Sequence, residues 1–399
     1  MPRFRTTDEL DVAGKRVLLR ADLNVPVKDG KVTDATRIDR LAPTIEALIA
    51  KGARVIVMSH FGRPKGPDPS QSLRPLVEPL SQAIGGRTVH FAADCVGPEA
   101  ELVVNALRAG EVALLENLRF HKGEEANDPD FARQLAALGD VYVDDAFSAA
   151  HRAHASIDAL AHLLPAAAGK NMQGELEALG AAFENPRHPV MALIGGAKVS
   201  TKLDLLGFII RKVDLLAIGG AMANTFLFAK GRPVGRSLCE PDLADIARAI
   251  LSDAEEAGCD IILPEDAVTA DKLEAGVLTR TVGVHAVPMN AMILDIGPQT
   301  AARICLALEN SRTLVWNGPV GAFETPPFDR ATIAIARKIA ELTRDGKLMS
   351  VAGGGDTVAA LAAAGVTDDL SYVSTAGGAF LEWLEGRELP GVAALAIAD

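Results

Sequence analysis

The sequence predicts an α/β protein of two lobes, each a parallel sheet covered by helices, with a helix joining them. Three observations lead there. Short apolar runs alternate with helical patterns almost from end to end, and apolar strands separated by amphipathic helices imply parallel sheets covered on both faces. The chain has 399 residues, too many for one comfortable core, so roughly two or three domains are expected. A turn-rich breaker, Glu184-Asn185-Pro186-Arg187-His188-Pro189, interrupts the pattern near its middle, where proline and asparagine favour a turn.

Taken in order, apolar runs place strands at 16–22, 54–59, 88–91, 112–116 and 141–144. Ile38, Leu41, Ile45, Leu48 and Ile49 recur at helical spacing, which predicts a helix over 38–51. Thr36 with Asp39 resembles a capping box at its start, and Gly52 ends it. A helical run over 173–183 precedes the breaker. The rhythm then repeats, with strands at 190–194, 214–218, 261–263, 313–316, 347–351 and 372–374. The expected division is a first lobe of residues 1–172, a hinge helix and linker over 173–188, and a second lobe of 189–388.

Composition narrows the function. Apolar residues make up 49% and charged residues 23%, an ordinary globular balance. No uncharged apolar run reaches the roughly 18 residues that a membrane span needs. The first residues lack the apolar core of a secretory signal, so a cytoplasmic protein is expected. A net charge of −12 argues against nucleic acid and membrane surfaces as partners. Any anion site must therefore be a local basic pocket. Cys95, Cys239, Cys259 and Cys305 lie far apart with no CxxC pair. They read as buried thiols in a reducing compartment, not as a metal site or disulfide frame.

The most telling stretch is Ile194-Gly195-Gly196-Ala197-Lys198-Val199-Ser200-Thr201-Lys202. It reads as a strand, a glycine turn and a helix start bearing two lysines one turn apart. Cations at a helix N-terminus are disfavoured by roughly 0.3–1 kcal/mol, and like charges at i,i+4 repel. Lys198 and Lys202 make sense there if a polyphosphate sits between them, since helix N-termini offer free N–H groups. Ala352-Gly353-Gly354-Gly355-Asp356-Thr357 is a second glycine turn opening a helix, suited to close approach of a phosphate. Asp356 reads equally as an N-cap or as a Mg2+ ligand. Gly377 and Gly378 form a further turn. Glu324 is either an acceptor for ribose hydroxyls or a surface carboxylate.

In the first half, cations gather just after predicted strands: His60 with Arg63, Arg119 with His121 and Lys122, and His151 with Arg152. Arg37 joins them at a helix start. Ligands bind at the carboxyl ends of strands in open parallel sheets, and arginine's planar fork suits phosphate and carboxylate. Any one of these residues alone reads as a solvated charge or a structural histidine; the group points to an anion site. Asp22 and Asn24 add partners for a hydroxyl. Neither a Walker A motif nor GxGxxG in a strand-turn-helix setting appears. That excludes a P-loop kinase and weighs against a nicotinamide dehydrogenase. A non-enzymatic two-lobed binding protein would leave the paired lysines and the Gly-Asp turn unexplained.

Longer segments carry a family likeness. They are Leu18-Leu19-Arg20-Ala21-Asp22-Leu23-Asn24-Val25-Pro26, Ser59-His60-Phe61-Gly62-Arg63-Pro64-Lys65-Gly66, Leu115-Glu116-Asn117-Leu118-Arg119-Phe120, Asp145-Ala146-Phe147, Ala150-His151-Arg152-Ala153-His154-Ala155-Ser156, Gly195-Gly196-Ala197-Lys198-Val199 and Val315-Trp316-Asn317-Gly318-Pro319, with residues 353–357. In these the chain resembles the phosphoglycerate kinase family over nearly its whole length. The resemblance implies two Rossmann-like lobes closing about a hinge. It also implies reversible phosphoryl transfer from 1,3-bisphosphoglycerate to Mg-ADP, giving 3-phosphoglycerate and ATP. By motif match, Asp22, Leu23, Asn24, Arg37, His60, Phe61, Gly62, Arg63, Arg119 and Arg152 are expected to bind phosphoglycerate. Lys202, Glu324, Gly354, Gly355, Asp356 and Thr357 are expected at the nucleotide, with Asp356 near Mg2+. Arg37, Lys198, Lys202, Gly377 and Gly378 are the expected catalytic groups, because transfer needs alignment and charge stabilisation rather than covalent help. The family also implies a monomer whose tail, 389–399, packs back on the first lobe. Ser148-Ala149 departs from a frequent Gly-Thr, Asp144 from asparagine, Ala376 from glycine and Phe61 from leucine; none removes a charged group assigned to binding or transfer.

Overall fold

The computed structural model describes residues 3–28 and 30–397. The chain forms two compact units, Met1–Glu177 with Glu388–Asp399, and Ala178–Arg387. The first holds a six-stranded sheet of β1 (Arg16–Arg20), β2 (Arg54–Met58), β3 (Val89–Phe91), β4 (Val112–Leu114), β5 (Val141–Asp144) and β6 (Ala166–Ala168). The strands are all parallel, in the order β3-β4-β2-β1-β5-β6. Val17, Leu18 and Leu19 are successive and all fully buried, as a sheet covered on both faces requires. Helix α1 (Thr36–Ala50) buries Ile38, Leu41, Ile45 and Leu48 in the same core as Val17, Leu19, Val55 and Val57. The sequence pattern misses β6 because its three alanines carry no β-branched signal.

The start of α1 differs from expectation. Thr36 is already inside the first turn, and no side chain caps Ala35. Asp34 instead accepts hydrogen bonds from the Thr36 N–H at 2.9 Å and its hydroxyl at 2.6 Å, a local Asx arrangement that replaces the Thr36–Asp39 box. Gly52 ends the helix at φ 77°, a left-handed position that glycine takes without strain. Helix α2 (Lys170–Phe183) starts earlier than the periodicity predicts, because Asp145 caps it. One Asp145 oxygen accepts from the N–H groups of Asn171 (2.7 Å) and Met172 (3.1 Å), and the other from the Thr44 hydroxyl (2.6 Å). The chain's last segment belongs to the first unit: the Gly391 N–H donates to the Ala150 carbonyl at 2.8 Å, and Ile397 to Arg3 at 2.8 Å. Residues 398–399 of the expected tail lie outside the described residues.

In the second unit a parallel sheet comprises β7 (Val190–Ile194), β8 (Leu215–Ile218), β9 (Asp260–Ile262), β10 (Thr313–Asn317), β11 (Met349–Gly353) and β12 (Tyr372–Ser374). Its order, β9-β8-β7-β10-β11-β12, is the doubly wound arrangement of dinucleotide-binding folds. An antiparallel sheet of Asp266–Ala270, Arg280–Gly283 and Met292–Ile296 is added. The sequence reading had no place for it, since Arg280–Gly283 is half exposed and lacks an apolar run.

Two helix starts correct the reading of the glycine turns. Helix α3 runs Leu203–Ile209, so Lys198 and Lys202 are not one turn apart on a helix. The intervening residues are held in a loop: Ser200 donates to Glu240 at 3.0 Å through its N–H and at 2.5 Å through its hydroxyl, and Thr201 donates to the Lys198 carbonyl at 2.9 Å. Such side-chain bonds compete with helical ones. Helix α4 runs Gly355–Ala364 with Gly354 at the N-cap. Asp356 therefore lies within the first turn and is not the cap. Helix α5 (Gly378–Leu384) follows β12, and α6 (Pro390–Ala394) closes the series.

Candidate active site

In the first unit, the loops that follow β1, β2, β4 and β5 are tied to one another. The Asp22 carboxylate lies 2.8 Å from the Arg37 guanidinium and accepts from the Ser148 hydroxyl at 2.5 Å. Arg37 also donates to the Asn24 carbonyl at 3.0 Å, and the Asn24 side-chain oxygen accepts from the Gly62 N–H at 2.9 Å. Arg119 donates to the Gly62 carbonyl at 2.6 Å. Glu125 lies 3.3 Å from Arg119 Nε, too poorly aligned to hydrogen-bond with it. Asn117 exchanges hydrogen bonds of 3.1 and 2.8 Å with the Phe61 backbone. Gly62 sits at φ 61°, where a side chain is strained, and a Cβ there would displace the Gln71 amide, whose Oε1 would lie 2.1 Å away. Leu23 is buried in the core and gives its N–H to Ser59. Arg63 is exposed and makes no polar contact among the described residues.

His60 is the electrostatic centre of this cluster. Arg20 lies 3.2 Å from its Nδ1. A guanidinium only donates, so Nδ1 accepts and the proton sits on Nε2. Burial holds His60 well below the usual histidine range, and Arg20, Arg119 and Arg152 push the same way. Burial, with Arg119, Arg20 and Arg152, likewise takes His154 down to about 4. Arg119 is itself lowered by burial and by Arg152 and Arg20, against the pull of Glu125. Three guanidiniums thus share one field around two neutral imidazoles, and Arg152 donates to His151 at 3.1 Å. Reading the sequence alone does not assign Arg20, Ser148 or His154 to the site. A usable signal for Arg20 was present: an arginine inside an apolar strand is buried and needs a partner, and here it is fully buried.

In the second unit, strand order reverses between β7 and β10, the switch point where such sheets bind ligands. The β7 turn and the β10 turn touch backbone to backbone: a Cβ on Gly195 would lie 1.9 Å from the Pro319 carbonyl oxygen. Lys202 Nζ donates to the Gly195 carbonyl (2.6 Å), the Asn317 side-chain oxygen (2.6 Å) and the Asn317 carbonyl (3.2 Å). Burial pushes its ammonium down to about 8, with the Asp356 charge opposing. Asn317 donates to the Gly353 carbonyl at 2.8 Å, and Thr357 accepts from the Gly318 N–H at 2.8 Å. A cavity of about 460 Å³ opens here, lined among others by Gly196, Gly220, Asn224, Glu324 and Asp356. Asp356 is exposed, and among the described residues its carboxylate takes no hydrogen bond or ion pair. A free carboxylate at a cavity suits Mg2+, which binds through one or two carboxylates plus phosphates. Lys198 is exposed, and neither it nor Lys202 lines the cavity, so the expected pair of lysines around one ligand is not assembled. Gly377, at φ 43°, and Gly378 follow β12 at the start of α5, outside the cavity lining.

Comparison with known proteins adds an independent line. Residues 7–387 match the family described as "Phosphoglycerate kinase". Relatives of that name from Rhodospirillum centenum and Chelativorans are each 61% identical, covering 98% and 99% of this chain and 99% and 100% of their own. A solved phosphoglycerate kinase structure from Coxiella burnetii superposes with a TM-score of 0.91 at 41% identity, over 98% of both chains. One from Pyrococcus horikoshii gives 0.82 at 32% identity, again over 98% of both.

Proposed function

The chain belongs to the phosphoglycerate kinase family, and from that premise we propose how its residues divide the work. The enzyme is a phosphotransferase of glycolysis, moving a phosphoryl group between 1,3-bisphosphoglycerate and ADP to give 3-phosphoglycerate and ATP. The first unit takes the phosphoglycerate. One observation carries this reading: Arg20, Arg119 and Arg152 converge on the neutral, buried His60 in a protein of net charge −12. Guanidiniums that share one field repel, Glu125 and Glu124 offset that only in part at Arg119, and a bound phosphate relieves the rest. Asp22 and Asn24 take the substrate hydroxyl, His60 donates through Nε2–H, and Arg63 supplies a further charge.

The second unit takes the nucleotide in its cavity, with Glu324 at the ribose and Gly354, Gly355 and Thr357 at the phosphates. Asp356 would hold the Mg2+ that accompanies the nucleotide, and the ion would supply neutralisation of phosphate charge. Lys202 and Arg37 stabilise the equatorial oxygens of the moving group, with backbone N–H groups of Gly377 and Gly378 assisting. Lys198 has a lesser part, as a surface charge. No general base is needed, because the acceptor is an anionic carboxylate or phosphate. With donor and acceptor held by different units, transfer needs a closure step, which also excludes water. A cytoplasmic monomer completes the proposal.

Calorimetry of the Arg152→Ala variant tests the division. Phosphoglycerate affinity is expected to fall by about tenfold or more, as for loss of a charge-assisted contact worth roughly 1.5–3 kcal/mol, with ADP affinity unchanged. The reverse pattern refutes the assignment.

A further inference from the structure

We propose that Asp94, Cys95 and His121 form a binding site for a thiophilic divalent cation of the Zn2+ class, outside the phosphoryl-transfer machinery. One donor atom of each residue lies within 4.8 Å of the other two. Carboxylate oxygen, thiolate sulfur and imidazole nitrogen are the donor types zinc takes, at about 2.0–2.3 Å. His121 Nε2 is already 2.7 Å from Asp94 Oδ1, so a cation enters by parting that hydrogen bond, with the sulfur drawn inward. The fold makes this trio. Asp94 and Cys95 follow β3, whereas His121 lies 27 positions from Asp94 in the chain and follows β4, the neighbouring strand. No sequence spacing announces it.

The surroundings favour an ion over a bare ion pair. The His121 ring is stacked on Phe131, centroids 5.2 Å apart and 22° from parallel, which fixes the plane of its nitrogen lone pair. Cys95 is fully buried, while the Asp94 and His121 side chains are 41% and 32% exposed. The cation therefore arrives from the solvent side, and water completes a fourth position. A divalent ion with one thiolate, one carboxylate and one neutral imidazole has no net charge, so partial burial carries little of the usual ionic penalty. On binding, the Cys95 S–H bond breaks and its proton passes to water, the Nε2 proton that His121 shares with Asp94 moves through water to Nδ1, and the sulfur–metal and nitrogen–metal bonds form. The ion then ties the segment after β3 to the segment that carries Arg119.

Cobalt(II) titrated into the whole, untagged protein is the direct probe. The expected result is a near-ultraviolet thiolate-to-cobalt charge-transfer band with tetrahedral d–d bands, at one equivalent and displaced by Zn2+. Cys95→Ser should abolish the charge-transfer band, and His121→Gln should weaken cobalt binding by about tenfold or more. Cys239→Ser and Cys305→Ser should leave both unchanged. No charge-transfer band at saturating cobalt, or a band that survives Cys95→Ser, overturns the site. Should Cys95→Ser fail to fold by circular dichroism, the partly exposed His121 decides: cobalt affinity unchanged in His121→Gln overturns it equally.

Discussion

At the scale of single residues, Arg37 and Lys202 are the two groups whose removal is most informative. Arg37 touches both Asp22 and Asn24, so its guanidinium is held in place before any ligand arrives. A charge-stabilising contact in a transition state is worth roughly 2.7–4 kcal/mol. Arg37→Ala should therefore lower kcat by more than about tenfold in a coupled assay with 3-phosphoglycerate and Mg-ATP; near-normal turnover would refute its role. Lys202 carries a pH signature. Its burial takes the ammonium from 10.5 to about 8, so kcat/KM for the nucleotide should fall as pH rises through about 8, since that ratio reports the free enzyme. Stability moves the other way. Between about 8 and 10.5 the unfolded chain holds this proton and the folded chain does not, so the group's contribution to stability rises with pH. Loss of activity without loss of structure is the expected pair of results, and Lys202→Met should remove the dependence while leaving a folded protein. The residue types were legible in the sequence; their partners were not. Nothing in the chain says that Lys202 will rest on Gly195 and Asn317.

At the scale of elements, the strands and long helices were readable because burial on both faces leaves continuous apolar runs. Helix starts were read less well. Each correction traces to a carboxylate that binds backbone N–H groups at the helix start: the local Asp34 at α1, and Asp145 at α2 and Glu240 before α3 from far along the chain. Asp145 has a measurable consequence. Burial raises its carboxyl from 3.8 to about 6, although Thr44, Asn171 and Met172 all favour the ionised form. A raised acid binds its proton more tightly when folded. The stability it contributes is thus present below about 4 and lost as pH rises through about 6. Asp145→Ala should remove that slope from a plot of melting temperature against pH. At neutral pH it should also cost about 0.5–2 kcal/mol, the range for losing an N-cap. An unchanged pH profile would show that Asp145 stays ionised throughout.

At the scale of the whole molecule, the two units differ in how they use the chain. The second is built from one continuous segment, whereas the first needs both ends of the sequence. Leu389, Val392 and Leu395 are 1%, 4% and 3% exposed, and each such burial is worth about 1.5–3 kcal/mol. Deleting residues 388–399 should lower the melting temperature of the first unit's calorimetric transition by several degrees and leave the second unit's transition in place. An unshifted transition would make the tail peripheral. By itself the sequence determined the α/β class, the parallel sheets, the breaker near the middle and the glycine turns with their nearby cations, because periodicity and backbone geometry are local properties. Only the tertiary structure decided which charges meet. The field of Arg20, Arg119 and Arg152 on His60, the docking of Lys202 on Gly195 and Asn317, and the meeting of Cys95 with His121 all depend on strand order. Strand order is set by packing among residues far apart in the chain, and no local pattern encodes it.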